Sequence, residues 1–188
     1  MRLLQGRVTD APENLAKRDF AAGLPNSLWL TDITEFAIPA GKAHLSPVPD
    51  CFDGALPAWS IPPAPDEGPS DSMLEKACAG LAPDEHPVIH SDRGCHHGWP
   101  GRIAICERNG LIRSMSAKGC SPDNSAMEGF FGRPENESFH GRGWSGVGLS
   151  EFIEMLDAYL RYYNEARPKE QLGWMSPMQY RRSLGLAA

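Results

Sequence analysis

Apolar and polar positions along the chain outline its elements before any chemistry is considered. Residues 28–38 carry Leu28, Trp29, Leu30, Ile33 and Phe36 and close at Pro39 and Gly41, a first predicted strand. Residues 43–52 alternate loosely through Ala43, Leu45, Val48, Cys51 and Phe52, a second strand. The Asp53-Gly54 pair signals a hairpin, and residues 55–61 give a third strand, antiparallel to the one before it. Pro62 to Ser72 reads as a loop, followed by a short helix over 73–81 capped by Ser70 or Ser72. The run Pro87-Val88-Ile89-His90 reads as a buried parallel strand, 98–109 as a helix and 111–115 as another strand. Ser121-Pro122 opens a helix whose Met127, Phe130 and Phe131 form an apolar stripe. Ser150 caps a longer helix, with Phe152, Ile153, Leu156, Tyr159, Leu160 and Tyr163 on its apolar face and Pro168 beyond its end. Strands first, then strands alternating with helices, imply an α/β protein with helices packed on a mixed sheet. The expected division is a lead-in over 1–25, a core over 26–183 that includes the helix 150–166, and a tail over 184–188.

Composition narrows this little. With 188 residues, 41% hydrophobic and 22% charged, the chain suits one globular domain with extensions. No run approaches the roughly 20 apolar residues that span a bilayer, and Arg2 and Arg7 spoil a secretory leader, so a cytoplasmic location is expected. The five cysteines form no Cys-x-x-Cys pair, which argues against structural zinc and a disulfide framework; Cys95-His96-His97 reads as a polar loop. The net charge of −6 divides unevenly: residues 1–92 hold 6 Lys/Arg and 14 Asp/Glu (−8), residues 93–188 hold 12 and 10 (+2). That is a weak footprint for a protein that coats nucleic acid.

Candidate chemistry changes the picture. Asp32 lies inside the first apolar stretch, Asp92 ends the run before Gly94, and Glu128 sits on the helix that carries Phe130 and Phe131. Carboxylates rarely occupy such positions unless paired or metal-bound. Three brought together would repel one another until a hard cation such as Mg2+ intervened.

Trp29-Leu30-Thr31-Asp32-Ile33-Thr34, His90-Ser91-Asp92-Arg93-Gly94, Asp123-Asn124-Ser125-Ala126 with Glu128-Gly129-Phe130-Phe131, and Tyr163-Asn164-Glu165-Ala166-Arg167 occur in that order, before Ser176-Pro177 and Tyr180. As an ordered set over about residues 14–183 they resemble the catalytic core of bacterial insertion-sequence transposases of the OrfB type, relatives of retroviral integrases. The resemblance implies a ribonuclease-H-like fold, a mixed five-stranded sheet flanked by helices. It further implies a DDE triad of Asp32, Asp92 and Glu128 that binds two Mg2+ or Mn2+ ions and cuts and joins DNA. The 35 residues between Asp92 and Glu128 match the family pattern. Arg93, Lys118, Asn124 and Arg133 are the candidates for nucleic-acid contact. DNA is the expected partner, with self-association or a helix-turn-helix subunit beside it, and no membrane.

Some positions depart from the family. Pro134-Glu135 stands where relatives carry Leu-Lys, and a proline deep in the helix costs about 3 kcal/mol. Glu135 places an anion where a cation would meet phosphate. Pro49 and Pro57 fall in the second and third predicted strands, where proline is tolerated only at edges or bulges. An alternative therefore stands beside the enzyme: a truncated, catalytically impaired remnant that binds DNA or a full-length transposase. Arg181-Arg182 reads as a solvated basic pair, and Tyr159, Tyr162 and Tyr163 as core and surface of one helix.

Overall fold

A computed structural model describes residues 12–92, 100–117 and 125–186. Strand β1 (Leu28–Thr31) and strand β2 (Thr34–Ile38) occupy the stretch expected as one strand. The break falls at Asp32 and Ile33, where the Ile33 N–H turns to the Asp32 side chain at 2.7 Å. Strand β3 (Gly41–Val48) pairs antiparallel with β2, Thr34 opposite Leu45, and with β4 (Ala58–Ser60), Val48 opposite Ala58. Past its end, β3 continues along β1: the Leu30 N–H donates to Pro49 O, and the Cys51 N–H to Leu28 O, both at 2.9 Å. On the other side β1 pairs in parallel with β5 (Val88–Ser91), which pairs in parallel with β6 (Ile112–Met115). The order is thus β4, β3, the bent β1/β2 strand, β5, β6: a mixed sheet with five positions across.

Successive side chains of a strand face opposite sides, and Trp29 and Leu30 divide the core accordingly. Trp29 joins Val48, Met73, Leu74, Ile89 and Ile105 under α1 (Glu67–Cys78) and α2 (Pro100–Arg108). Leu30 joins Phe36, Leu45, Phe130, Phe152 and Leu160 under α3 (Ser125–Pro134) and α4 (Leu149–Glu165). A short α5 (Pro177–Ser183) closes the fold, with Ser176 and Gln179 forming a reciprocal capping box. None of the described helices is long and apolar enough to cross a membrane.

Several expectations shift. Helix α1 begins at Glu67, capped by Asp66 rather than by Ser70 or Ser72, because Pro69 falls in the first turn, where a missing N–H costs nothing. Helix α4 starts at Leu149 with Gly148 as its extended cap residue, so Ser150 lies inside it. Pro49 and Pro57 stand just outside β3 and β4 and interrupt neither. Pro47 does sit within β3, opposite Trp59, but β2 has stopped pairing by Leu45, so no ladder bond is lost on that side. Pro134 ends α3 instead of breaking it. The next residues, Glu135–Phe139, form a π-helical turn in which the His140 N–H reaches back to Glu135 O at 2.6 Å. The helix start expected at Ser121-Pro122 and the Cys95-His96-His97 loop lie outside the described residues.

Candidate active site

Parallel pairing of β1 with β5 sets Leu28, Trp29, Leu30 and Thr31 against Val88, Ile89, His90 and Ser91. Asp32 follows Thr31 and Asp92 follows Ser91, so the two acids leave adjacent strands at the same carboxyl edge. Neighbouring strands run about 4.8 Å apart, and the carboxyl ends of parallel strands are where α/β sheets commonly bind ligands. Both acids are half-buried.

The support beneath them is polar and closed to solvent. Arg102 of α2, 4% exposed, donates to Thr31 Oγ1 and to Ser70 Oγ of α1, each at 2.9 Å. Its guanidinium therefore ties β1, beside Asp32, to both helices on that face, and burial lowers its pKa. His90 is buried and shares hydrogen bonds with Ser114 Oγ at 2.8 Å and Ser116 Oγ at 3.3 Å, which lock β5 to β6 just before Asp92. The lead-in joins the same edge: the Leu15 N–H donates to Ser114 Oγ, and the Met115 N–H to Glu13 O. Sequence reasoning missed Arg102, since an arginine between apolar helix positions carries no local sign that it is buried.

Glu128 lies in the first turn of α3 and is exposed, while Met127, Phe130 and Phe131 hold the helix on the core. Among the described residues, no three His, Cys, Asp or Glu side chains gather closely enough to hold a metal ion. The register sets Asp32 and Asp92 at the ends of adjacent strands, and Glu128 comes from α3. The donor set fits a hard divalent cation in kind, being carboxylate throughout. Just beyond, Thr34 Oγ1 donates to Glu135 Oε1 at 3.4 Å, so the acid that replaces the expected lysine faces the start of β2.

The sequence model described as integrase core domain matches residues 23–121, more than half of the chain, and a second model with the same description matches 128–184. The chain belongs to the integrase core family. A probable transposase for insertion sequence element IS1353 from Shigella flexneri is 52% identical over 96% of this core and 35% of its own length. A putative transposase for element IS150 from Escherichia coli K12 is 37% identical over 96% of this core and 63% of its own. The chain thus spans between about a third and two thirds of these relatives. The catalytic core domain of the HTLV-2 integrase, solved in complex with magnesium in a trimeric form, superposes with a TM-score of 0.60 at 17% identity, covering 82% of this chain and 95% of that one. Such a likeness shows the ribonuclease-H-like fold. Both expectations, an insertion-sequence transposase relationship of the OrfB type and a mixed α/β sheet, are borne out.

Other motif residues of this integrase core are structural. Asn164 bridges the Leu56 backbone, accepting from its N–H and donating to its carbonyl, both at 2.9 Å. Arg167 grips both oxygens of Glu137 in the π-helical turn, and Tyr159 donates to the same carboxylate at 2.9 Å. The Arg167 hydrogen bonds hold the Glu137 carboxyl below its usual range. Arg181, expected in solvent, is buried, its Nε 2.7 Å from Asp53 and its Nη2 2.7 Å from Asp50. Two buried carboxylates require a counter-charge, and the local sequence around Arg181 does not reveal them. Arg182 is exposed and pairs with Glu165 at 2.8 Å. Tyr163 is core and Tyr162 exposed, as the helical pattern implied. Of the nucleic-acid candidates, Arg93, Lys118 and Asn124 lie outside the described residues. Arg133 lines a cavity between α3, the 49–54 loop and the 169–172 segment.

Proposed function

We propose that this chain is the catalytic core of an insertion-sequence transposase that cleaves and rejoins DNA phosphodiesters with divalent metal. The observation that carries the reading is the in-register exit of Asp32 and Asp92 from adjacent parallel strands, within a chain of the integrase core family. Asp32, Asp92 and Glu128 would hold Mg2+ or Mn2+. When bound, such ions activate the attacking oxygen and neutralise charge on the leaving one. The HTLV-2 core's complex with magnesium supports that assignment by analogy.

The chain's own residues supply position and rigidity. The His90–Ser114 and Arg102–Thr31 hydrogen bonds keep the two strand ends in register. Arg93, Lys118, Asn124 and Arg133 would contact phosphates without reading sequence. In the first reaction water attacks a phosphodiester at the element's end and a 3′-hydroxyl leaves. In the second that hydroxyl attacks a target phosphodiester, joining the strands and releasing a new 3′-hydroxyl. Phosphoryl transfer of this kind asks for positioning and charge stabilisation rather than covalent help from protein. DNA is the partner, with self-association or a helix-turn-helix subunit completing the assembly, and a DNA-acting enzyme of this kind works in the cytoplasm.

Pro49, Pro57 and Pro134, which pointed to a decayed copy, lie at or just outside element ends, so they lend the impaired-remnant alternative no support. A strand-transfer assay on the element's own end DNA with Mg2+ or Mn2+ tests the proposal. Joined product from the wild type, absent in an Asp92→Asn variant, is the expected result. Equal product from both would remove the enzymatic reading.

A further inference from the structure

The cavity beside α3 has a volume of about 440 Å3, within the range of roughly 300–1,000 Å3 typical of small-ligand sites. Its walls combine two features. The first is an excess of positive charge. Arg133 Nη1 donates to Gly129 O at 2.9 Å, and Lys169 Nζ donates to Asp53 O at 2.6 Å and lies 3.4 Å from the Tyr163 hydroxyl. Neither cation meets a carboxylate among the described residues. The two acids that line the cavity, Asp50 and Asp53, are already bonded to Arg181. Burial, then the nearby Arg133, pushes the Lys169 ammonium down to about 8, against the opposing pull of Asp53. An ammonium has three donors, and two of those on Lys169 are spoken for.

The second feature is an aromatic wall. Phe52 and Tyr180 line the cavity, their rings 5.8 Å apart and 36° from parallel. The facing surface of α3 is cut back: Gly129 lines the cavity, and a Cβ built there would meet nothing within 4 Å. Paired cations beside accessible aromatic faces are how proteins hold single-stranded nucleic acid, phosphate on charge and base on π-face, and Phe52 and Tyr180 are both partly exposed.

We propose that this cavity binds one nucleotide of a DNA strand, its phosphate between Arg133 and Lys169 and its base against Phe52 and Tyr180. Asp32, Asp92 and Glu128 do not line this cavity, and the proposal rests on the transposase reading only for the source of the nucleotide.

The test is fluorescence anisotropy of the whole chain with a short fluorescein-labelled single-stranded DNA, at low salt and with EDTA present. Lys169→Gln and Arg133→Gln should each weaken binding about tenfold, the scale of a lost charge-assisted hydrogen bond. Each should also flatten the salt dependence by about one phosphate contact. Gln171→Glu, on the exposed rim, should weaken binding without touching a buried contact, which covers the case in which Lys169→Gln fails to fold. Asp92→Asn should bind as the wild type does. Affinity unchanged in all three cavity variants, or no saturable binding at low salt, overturns the proposal. A mononucleotide should displace the probe better than inorganic phosphate; equal displacement means a bare anion site and overturns the nucleotide assignment. Strand transfer lost in Asp92→Asn beside unchanged cavity-variant binding sinks the cavity alone. Cavity-dependent binding with no strand transfer sinks the enzymatic reading alone.

Discussion

Two pairs of aspartates follow strands of the same sheet and differ in burial. Asp50 and Asp53 follow β3, and both side chains are 0% exposed. The Asp50 oxygens receive the N–H groups of Asn26 and Phe52 together with Arg181. Asp53 takes Ala55 N–H and two nitrogens of Arg181. Asp32 and Asp92 follow β1 and β5, are half-buried, and lie side by side at the carboxyl edge. A carboxylate sealed by several donors and a buried guanidinium serves the fold, because exchanging those partners would cost more than any ligand returns. A carboxylate at a strand end, rigid in its backbone and open to solvent, can still take a cation. Full burial and these partners, rather than presence in an apolar run, mark Asp50 and Asp53 as structural.

The sharpest way to break the contrast is Arg181→Ala. It strips the counter-charge from the sealed pair and should cost about 3–5 kcal/mol in urea unfolding. Loss of under about 1 kcal/mol would mean the pair is not held as described. Asp92→Asn acts on the other pair: strand transfer should fall at least about 100-fold, the scale of one preorganised electrostatic contact. Its melting temperature should stay near that of the wild type, and a collapse in stability would class Asp92 with Asp50. Asn164→Leu is next. It leaves the Leu56 N–H and carbonyl unpaired in a buried setting and should cost about 1–3 kcal/mol by the same measurement.

The remaining effect is a pH dependence. Lys169 donates to the Asp53 carbonyl, and burial lowers its pKa from 10.5 to about 8. The unfolded chain therefore binds more protons between about pH 8 and 10.5, so this group's contribution to stability rises with pH across that window and is flat below it. The wild type should gain on Lys169→Met as pH climbs from 8 to 10.5 in parallel urea titrations. A constant difference would show the ammonium to be well solvated.

Much of the fold was legible because strand and helix periodicities are local. The apolar runs of 28–38 and 111–115 and the stripe at Met127, Phe130 and Phe131 each lie where burial requires. The start of α1 was misread because Pro69 resembles a loop signal, although a first turn accepts it. The break at Asp32 was invisible: nothing in the apolar run tells the Ile33 N–H to bond the Asp32 side chain instead of a strand.

The chain's residue pattern by itself determined the layered α/β architecture, the family and the identity of the acids worth suspecting. Periodicity and motif order are properties of neighbours in sequence. Only the tertiary structure decided which acids are sealed into the fold. Asp50 and Asp53 are separated from Arg181 by 131 and 128 residues, and Arg102 from Thr31 by 71. Partners that distant meet through packing, and no local signal records whom a charge will face once water is excluded.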